Sequence, residues 1–212
     1  MPFRVLAALA ALAAPVCAQH IRFGFVGGTA VTSDVGGIDD TYPNNLDPFQ
    51  GRYTFRLFDR TTSRSPVLGP SFELDLKRHL SVEINALYRR LTSTQTATFL
   101  YENGTTAIVT SEMQRARTWE FPILFKYGRP MAGFTPYVEA GPSFRVWQEP
   151  LGLEPSKIGV TGGLGVDFAF GRFRAGPLIR YTRWRADGGY PLRSTKPDQV
   201  EVLGSLSYQT SH

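Results

Sequence analysis

Cysteine is nearly absent: Cys17 is the only one in 212 residues, which excludes an intrachain disulfide and any cysteine-based metal cluster. The three histidines, His20, His79 and His212, are scattered along the chain without ligand spacing, so no metal centre is expected. Charged residues account for only 19% of the composition, and no internal linker or low-complexity tract breaks the chain. Beyond Ala14 no apolar run approaches the roughly 20 residues that a membrane-spanning helix needs. What the chain has instead is abundant glycine and aromatic residues. From about residue 66 onward these are set into ladders in which apolar and polar positions alternate.

The first segment reads differently. Arg4 opens it, Val5 to Ala14 form an apolar stretch without an acid, and Val16-Cys17-Ala18 supplies small residues before Gln19. This is the layout of a secretory signal peptide over residues 1–18, followed by a single domain over 19–212. About ten apolar residues do not cross a bilayer as a helix. A lipid anchor on Cys17 is the alternative, against which stands the bulky Val16. Cleavage would remove the only thiol with the leader.

Period-two alternation between Gly, Pro, Asn and Asp clusters predicts eight strands, near 20–31, 66–77, 80–92, 116–128, 135–148, 157–170, 173–185 and 199–209. Arg78-His79, Arg129 to Phe134 and Gly171-Arg172 are short connections, and those between them are long. Ser33 to Ser65 reads as a polar loop. Asn103-Gly104, flanked by threonine-rich segments, predicts a type I′ turn closing an extended hairpin. Pro70, Pro122, Pro136, Pro142 and Pro177 fall inside predicted strands, where bulges, ladder ends or strand starts are expected.

Each strand has two faces. On the fourth, Trp119, Phe121, Ile123, Phe125 and Tyr127 share one side and Glu120, Pro122, Leu124 and Lys126 the other. Taken over all strands, the polar set collects Arg22, Glu73, Asp75, Glu83, Asn85, Arg89, Glu120, Lys126, Glu139, Arg145, Asp167, Arg174, Arg180 and Glu201. Opposite charges there are nearly balanced, which predicts pairing. Short turns on one side and long loops on the other suit an eight-stranded antiparallel up-and-down transmembrane β-barrel, with both termini periplasmic. Its interior is just wide enough for side chains to fill it, so the polar set would be a packed lumen. Removing one member, as in Glu120→Ala, should then cost about 3–5 kcal/mol if the partner charge is left alone. Alternation by itself is equally compatible with reversed faces, a soluble periplasmic barrel of lipocalin type that binds an apolar ligand.

Glu120-Phe-Pro-Ile-Leu-Phe-Lys-Tyr127, Pro136-Tyr-Val-Glu-Ala-Gly-Pro142 and Gly162-Gly-Leu-Gly-Val-Asp-Phe168 together resemble the bacterial outer-membrane β-barrel domain family, often labelled porin-like and related in architecture to small OmpA- and OmpX-type barrels. The resemblance covers most of the chain after residue 18. It implies a transmembrane barrel at the cell surface and the barrel-insertion machinery as a partner, and it carries little about activity.

Little chemistry is expected. Gly162-Gly163-Leu164-Gly165 sits in a strand pattern with no following helix, the wrong setting for a phosphate loop. Ser207 and His212 would lie at the periplasmic end, away from the outer leaflet where a lipid-modifying enzyme works. No catalytic residue, metal or other cofactor is assigned, and the chain reads as a non-enzyme. The net charge of +5 admits acidic partners. Export argues against nucleic acid, leaving membrane lipid or another acidic ligand. Arg60, Arg64, Arg115, Arg117, Arg183 and Arg185 lie in or near the long loops, as a solvated rim or as candidate contacts to lipopolysaccharide phosphates. The leading expectation is a structural or surface-interaction barrel in the outer membrane. A narrow small-solute pore is the second and the soluble binding barrel the third; what the loops bind is not encoded in any motif.

Overall fold

A computed structural model describes residues 20–32, 38–47, 51–60, 65–148, 156–185 and 197–210. Segment 1–18, with Cys17, lies outside the described residues, as do Arg64 and His212. The described residues form eleven strands and no helix: β1 (Ile21–Ala30), β2 (Ile38–Asp47), β3 (Gly51–Arg60), β4 (Pro66–Lys77), β5 (Leu80–Asn85), β6 (Leu87–Tyr101), β7 (Thr106–Gly128), β8 (Phe134–Gln148), β9 (Ile158–Phe170), β10 (Phe173–Trp184) and β11 (Asp198–Gln209).

Antiparallel pairing runs β4-β1-β11-β10-β9-β8-β7 and returns from β7 through β5 to β4. β5 and the start of β6 form one barrel strand interrupted at Ala86, since β4 pairs with both in a single register. The result is a closed barrel of eight strands without a free edge. Its strands begin and end close to the alternation boundaries, because period-two patterning reports directly which residues share a face. Both chain ends of the barrel lie at the short-turn end, where the Thr210 amide donates to the Ile21 carbonyl at 3.0 Å.

Two expectations are corrected. The segment Ser33 to Ser65 is not a plain loop, since it holds the β2–β3 hairpin, and β3 pairs with the far half of β6 from Tyr53↔Tyr101 to Arg60↔Thr94. With the far half of β7 this makes a four-stranded sheet, β2-β3-β6-β7, standing beyond the barrel. Alternating Tyr53, Phe55 and Leu57 were the available signal. The Tyr53 and Phe55 rings meet Tyr42, Phe99 and Tyr101 at centroid distances of 5.1–6.0 Å. Second, the hairpin tip is a three-residue loop rather than a type I′ turn. The Gly104 amide donates to the Tyr101 carbonyl at 3.0 Å, and Gly104 takes φ +83°, a left-handed position that suits glycine. Where sheet leaves barrel, the ladder shifts between Leu91↔Ala116 and Thr92↔Gln114, leaving Arg115 as the extra residue of a bulge that turns the ribbon.

The strand prolines do not sit in bulges, since register continues unbroken past each of them. Three follow glycine, as Gly69-Pro70, Gly141-Pro142 and Gly176-Pro177. Proline supplies no amide to the strand opposite, so the facing carbonyls of Ala86, Ile123 and Val166 lose a donor. Each of these oxygens lies where a Cβ on the neighbouring glycine would be. The Gly-Pro pair thus closes the wall by removing a donor on one side and a side chain on the other.

Candidate functional site

Closure decides which face is inside. The apolar set points outward: Phe25 is 61% exposed, Leu68 61%, Val138 58%, Val160 62% and Leu164 60%. Charged residues point inward, with Arg89 and Arg180 at 1% and Glu201 at 2%. Charges buried this deeply are tolerated only with partners, and the lumen supplies them along its length.

At the short-turn end, Arg22 holds Glu73 at 3.1 Å and contacts Asp75, while Ser81 Oγ donates to Glu73 at 2.5 Å. Next, Lys126 bonds Asp167 at 3.0 Å, lies 3.6 Å from both Glu73 and Glu83, and sits 3.7 Å from the centre of the Tyr137 ring. Further in, Arg180 joins Glu83 at 2.9 Å to Glu139 at 2.5 Å. Toward the ribbon end, Arg89 bridges Glu201 and Glu120, the latter at 3.4 Å. Gln199 links the same two carboxylates at 3.0 and 3.2 Å, and Trp184 Nε1 donates to Gln199 Oε1 at 2.9 Å. Arg145 stacks over the Trp184 ring at 4.2 Å and donates to the Ser156 carbonyl. Asn85 is buried beside this network at 1% exposure.

Sequence reading left out Tyr137, Trp184 and Gln199, although each shares strand parity with a charged lumen residue. It also left out the hydroxyl row Ser143–Thr161–Thr182, linked at 2.5 and 2.7 Å. Nor is the lumen purely polar: Val26, Val67, Leu87, Tyr137, Leu178 and Leu203 form a buried apolar layer within it. Within the 162–165 run, Gly163 and Gly165 have a packing explanation. A Cβ on Gly163 would come within 2.8 Å of Glu139 Oε1, and one on Gly165 within 2.8 Å of the Leu178 Cβ and against the Tyr137 ring.

A cavity of about 410 Å³ opens at the short-turn end, lined by Arg22, Asp75, Lys126, Tyr137, Asp167 and Arg174 among others. Arg174 lies in this vestibule without an ion pair among the described residues, rather than inside the network. Deeper in, the cavity between Glu120, Ser143, Arg180 and Glu201 is only about 10 Å³, room for roughly one water.

At the other rim the candidate surface arginines separate. Arg117 and Arg185 are exposed. Arg183 is taken by Asp198 at 2.6 Å, and Tyr181 donates to the same carboxylate. Arg60 and Arg115 fall on β3 and on the β7 bulge, their side chains outside the described residues. Among the described residues no group of acids and histidines is arranged to hold a metal ion. The chain matches no protein-family model, and no curated protein matches it in sequence.

Proposed function

We propose that this protein is an outer-membrane β-barrel with a structural or surface-interaction role. Its barrel serves as the anchor, and its β2-β3-β6-β7 sheet is held outward. The observation that carries the reading is the sidedness of the wall: an apolar belt encircles the barrel on every strand while the charges are sealed inside. Monomeric soluble proteins rarely expose contiguous apolar patches beyond a few hundred Å². A closed barrel satisfies every strand internally, the condition for standing in hydrocarbon. Tyr127 and Arg117 are ten positions apart on β7. At about 3.4 Å per residue and a tilt near 40°, that spans roughly 26 Å, the height of the apolar band of such barrels. The short turns and both chain ends then lie on the periplasmic side.

The filled lumen favours an anchor over a pore, because the vestibule ends on the Lys126 cluster and the ion pairs of Arg180 fill the barrel behind it. The soluble, ligand-binding alternative requires an apolar interior, and here most of the buried side chains are polar or charged. Mobility in SDS gels tests the reading. A band from the outer-membrane fraction that migrates differently unboiled and boiled is the expected result. Recovery in the soluble periplasmic fraction without that shift would overturn it. In a planar bilayer the same protein is expected to give no stable openings, and large ones would replace the anchor with the pore.

A further inference from the structure

The outward face of the barrel carries an arrangement that neither fold closure nor the lumen uses. Arg90 on β6 and Arg117 on β7 are direct cross-strand partners, both exposed and both on the apolar face. Like charges directly opposite each other destabilise a sheet. Elsewhere on this rim an arginine is neutralised, as Arg183 is by Asp198, yet no carboxylate pairs with Arg90 or Arg117 among the described residues. Two positions nearer the barrel's middle, Tyr88 and Trp119 form the next outward cross-strand pair, with ring centroids 5.2 Å apart. Aromatic pairs of this kind mark the level of lipid headgroups. Arg90 is also held in place: its Nε donates to the Tyr88 hydroxyl at 3.2 Å and its guanidinium carbon lies 6.0 Å from that ring's centre. Its two terminal nitrogens have no partner among the described residues.

We infer that Arg90 and Arg117 clamp the phosphate of an outer-leaflet lipid, a phosphomonoester standing on the Tyr88–Trp119 pair. This rests on the membrane reading above. Two arginines carried by directly opposed residues, neither ion-paired among the described residues, match an ion carrying close to two negative charges, which a phosphomonoester has and a singly charged phosphodiester lacks. Planar guanidinium forks bind phosphate oxygens in bidentate fashion, so the bound ion would relieve the repulsion between the arginines. Sequence reading selected Arg117 and passed over Arg90, because their opposition depends on the β6–β7 register.

The test uses full-length protein extracted from the membranes of an expressing bacterium into micelles containing equal amounts of phosphatidic acid, a phosphomonoester, and phosphatidylglycerol, a phosphodiester. Native mass spectrometry then counts the lipid retained. The wild type is expected to hold one phosphatidic acid in preference to phosphatidylglycerol. R90Q and R117Q should each weaken that retention about tenfold or more, the scale of one lost charge-assisted contact. R172Q, which removes a lone arginine bonded to Tyr208 at the opposite rim, should leave it unchanged. Equal retention of the two lipids, or undiminished retention by R117Q in a barrel that still shifts on heating, would overturn the clamp alone. Absence of the wild type from the membrane fraction would overturn the membrane reading and the clamp with it.

Discussion

Replacing Arg180 with methionine probes the lumen most directly. Arg180 is 1% exposed and is bonded to Glu83 at 2.9 Å and to Glu139 at 2.5 Å. Glu83 keeps Lys126 at 3.6 Å after the change, whereas Glu139 loses its only hydrogen-bond donor among the described residues. Its other oxygen, Oε2, is already buried without a partner. Breaking a buried pair from one side costs about 3–5 kcal/mol, because the remaining charge is stranded away from water. Methionine approximates the volume of the arginine stem, so little of that cost comes from a cavity. The partner change Glu139→Leu on top of Arg180→Met removes the stranded charge and should recover about 2–3 kcal/mol of the loss, a coupling visible only in the double mutant. Urea unfolding in micelles, followed by tryptophan fluorescence, measures all four corners of this cycle. A loss below about 1 kcal/mol for Arg180→Met, or strict additivity in the double mutant, would refute a dry lumen and mean that water solvates these groups.

Three further outcomes are expected. Glu120→Ala should cost less than Arg89→Met, because Arg89 retains Glu201 in the first case while two carboxylates lose their shared cation in the second; the figures are about 1–3 against 3–5 kcal/mol in the same unfolding assay. Leu164→Arg, placed mid-strand among the outward residues Val138 and Ile179, should destabilise the barrel in vesicles by about 2–4 kcal/mol, whereas a residue facing water would tolerate it within roughly 0.5 kcal/mol. Gly176→Ala should cost about 1–3 kcal/mol as its Cβ meets the Val166 carbonyl. Gly204→Ala, whose nearest neighbour would be 3.9 Å away, should be close to neutral on thermal unfolding.

How much was legible beforehand follows from the range of each signal. Alternation is local, so the eight barrel strands and the membership of each face could be read from Trp119 to Tyr127 and similar ladders. The β2–β3 hairpin was missed because it forms no barrel wall. Its polar turn residues and short aromatic row look like a loop until β3 finds β6. Charge balance in the polar set predicted pairing in general, but not that Glu120 shares Arg89 with Glu201, which changes the expected cost of losing it. The prolines looked like defects from sequence, since the glycine that accommodates the facing carbonyl matters only once the neighbouring strand is in place.

By itself the sequence determined strand periodicity, the short and long connections, and which residues travel together on a face. These depend on side-chain direction reversing at every residue along an extended chain. Only the tertiary structure decided which face is inside, because period-two alternation is unchanged when inside and outside are exchanged. It also decided the partners. Arg180 and Glu83 are 97 residues apart, and Arg90 meets Arg117 through a hairpin register. Such pairings are set by closure and register, which no stretch of sequence short enough to read locally contains.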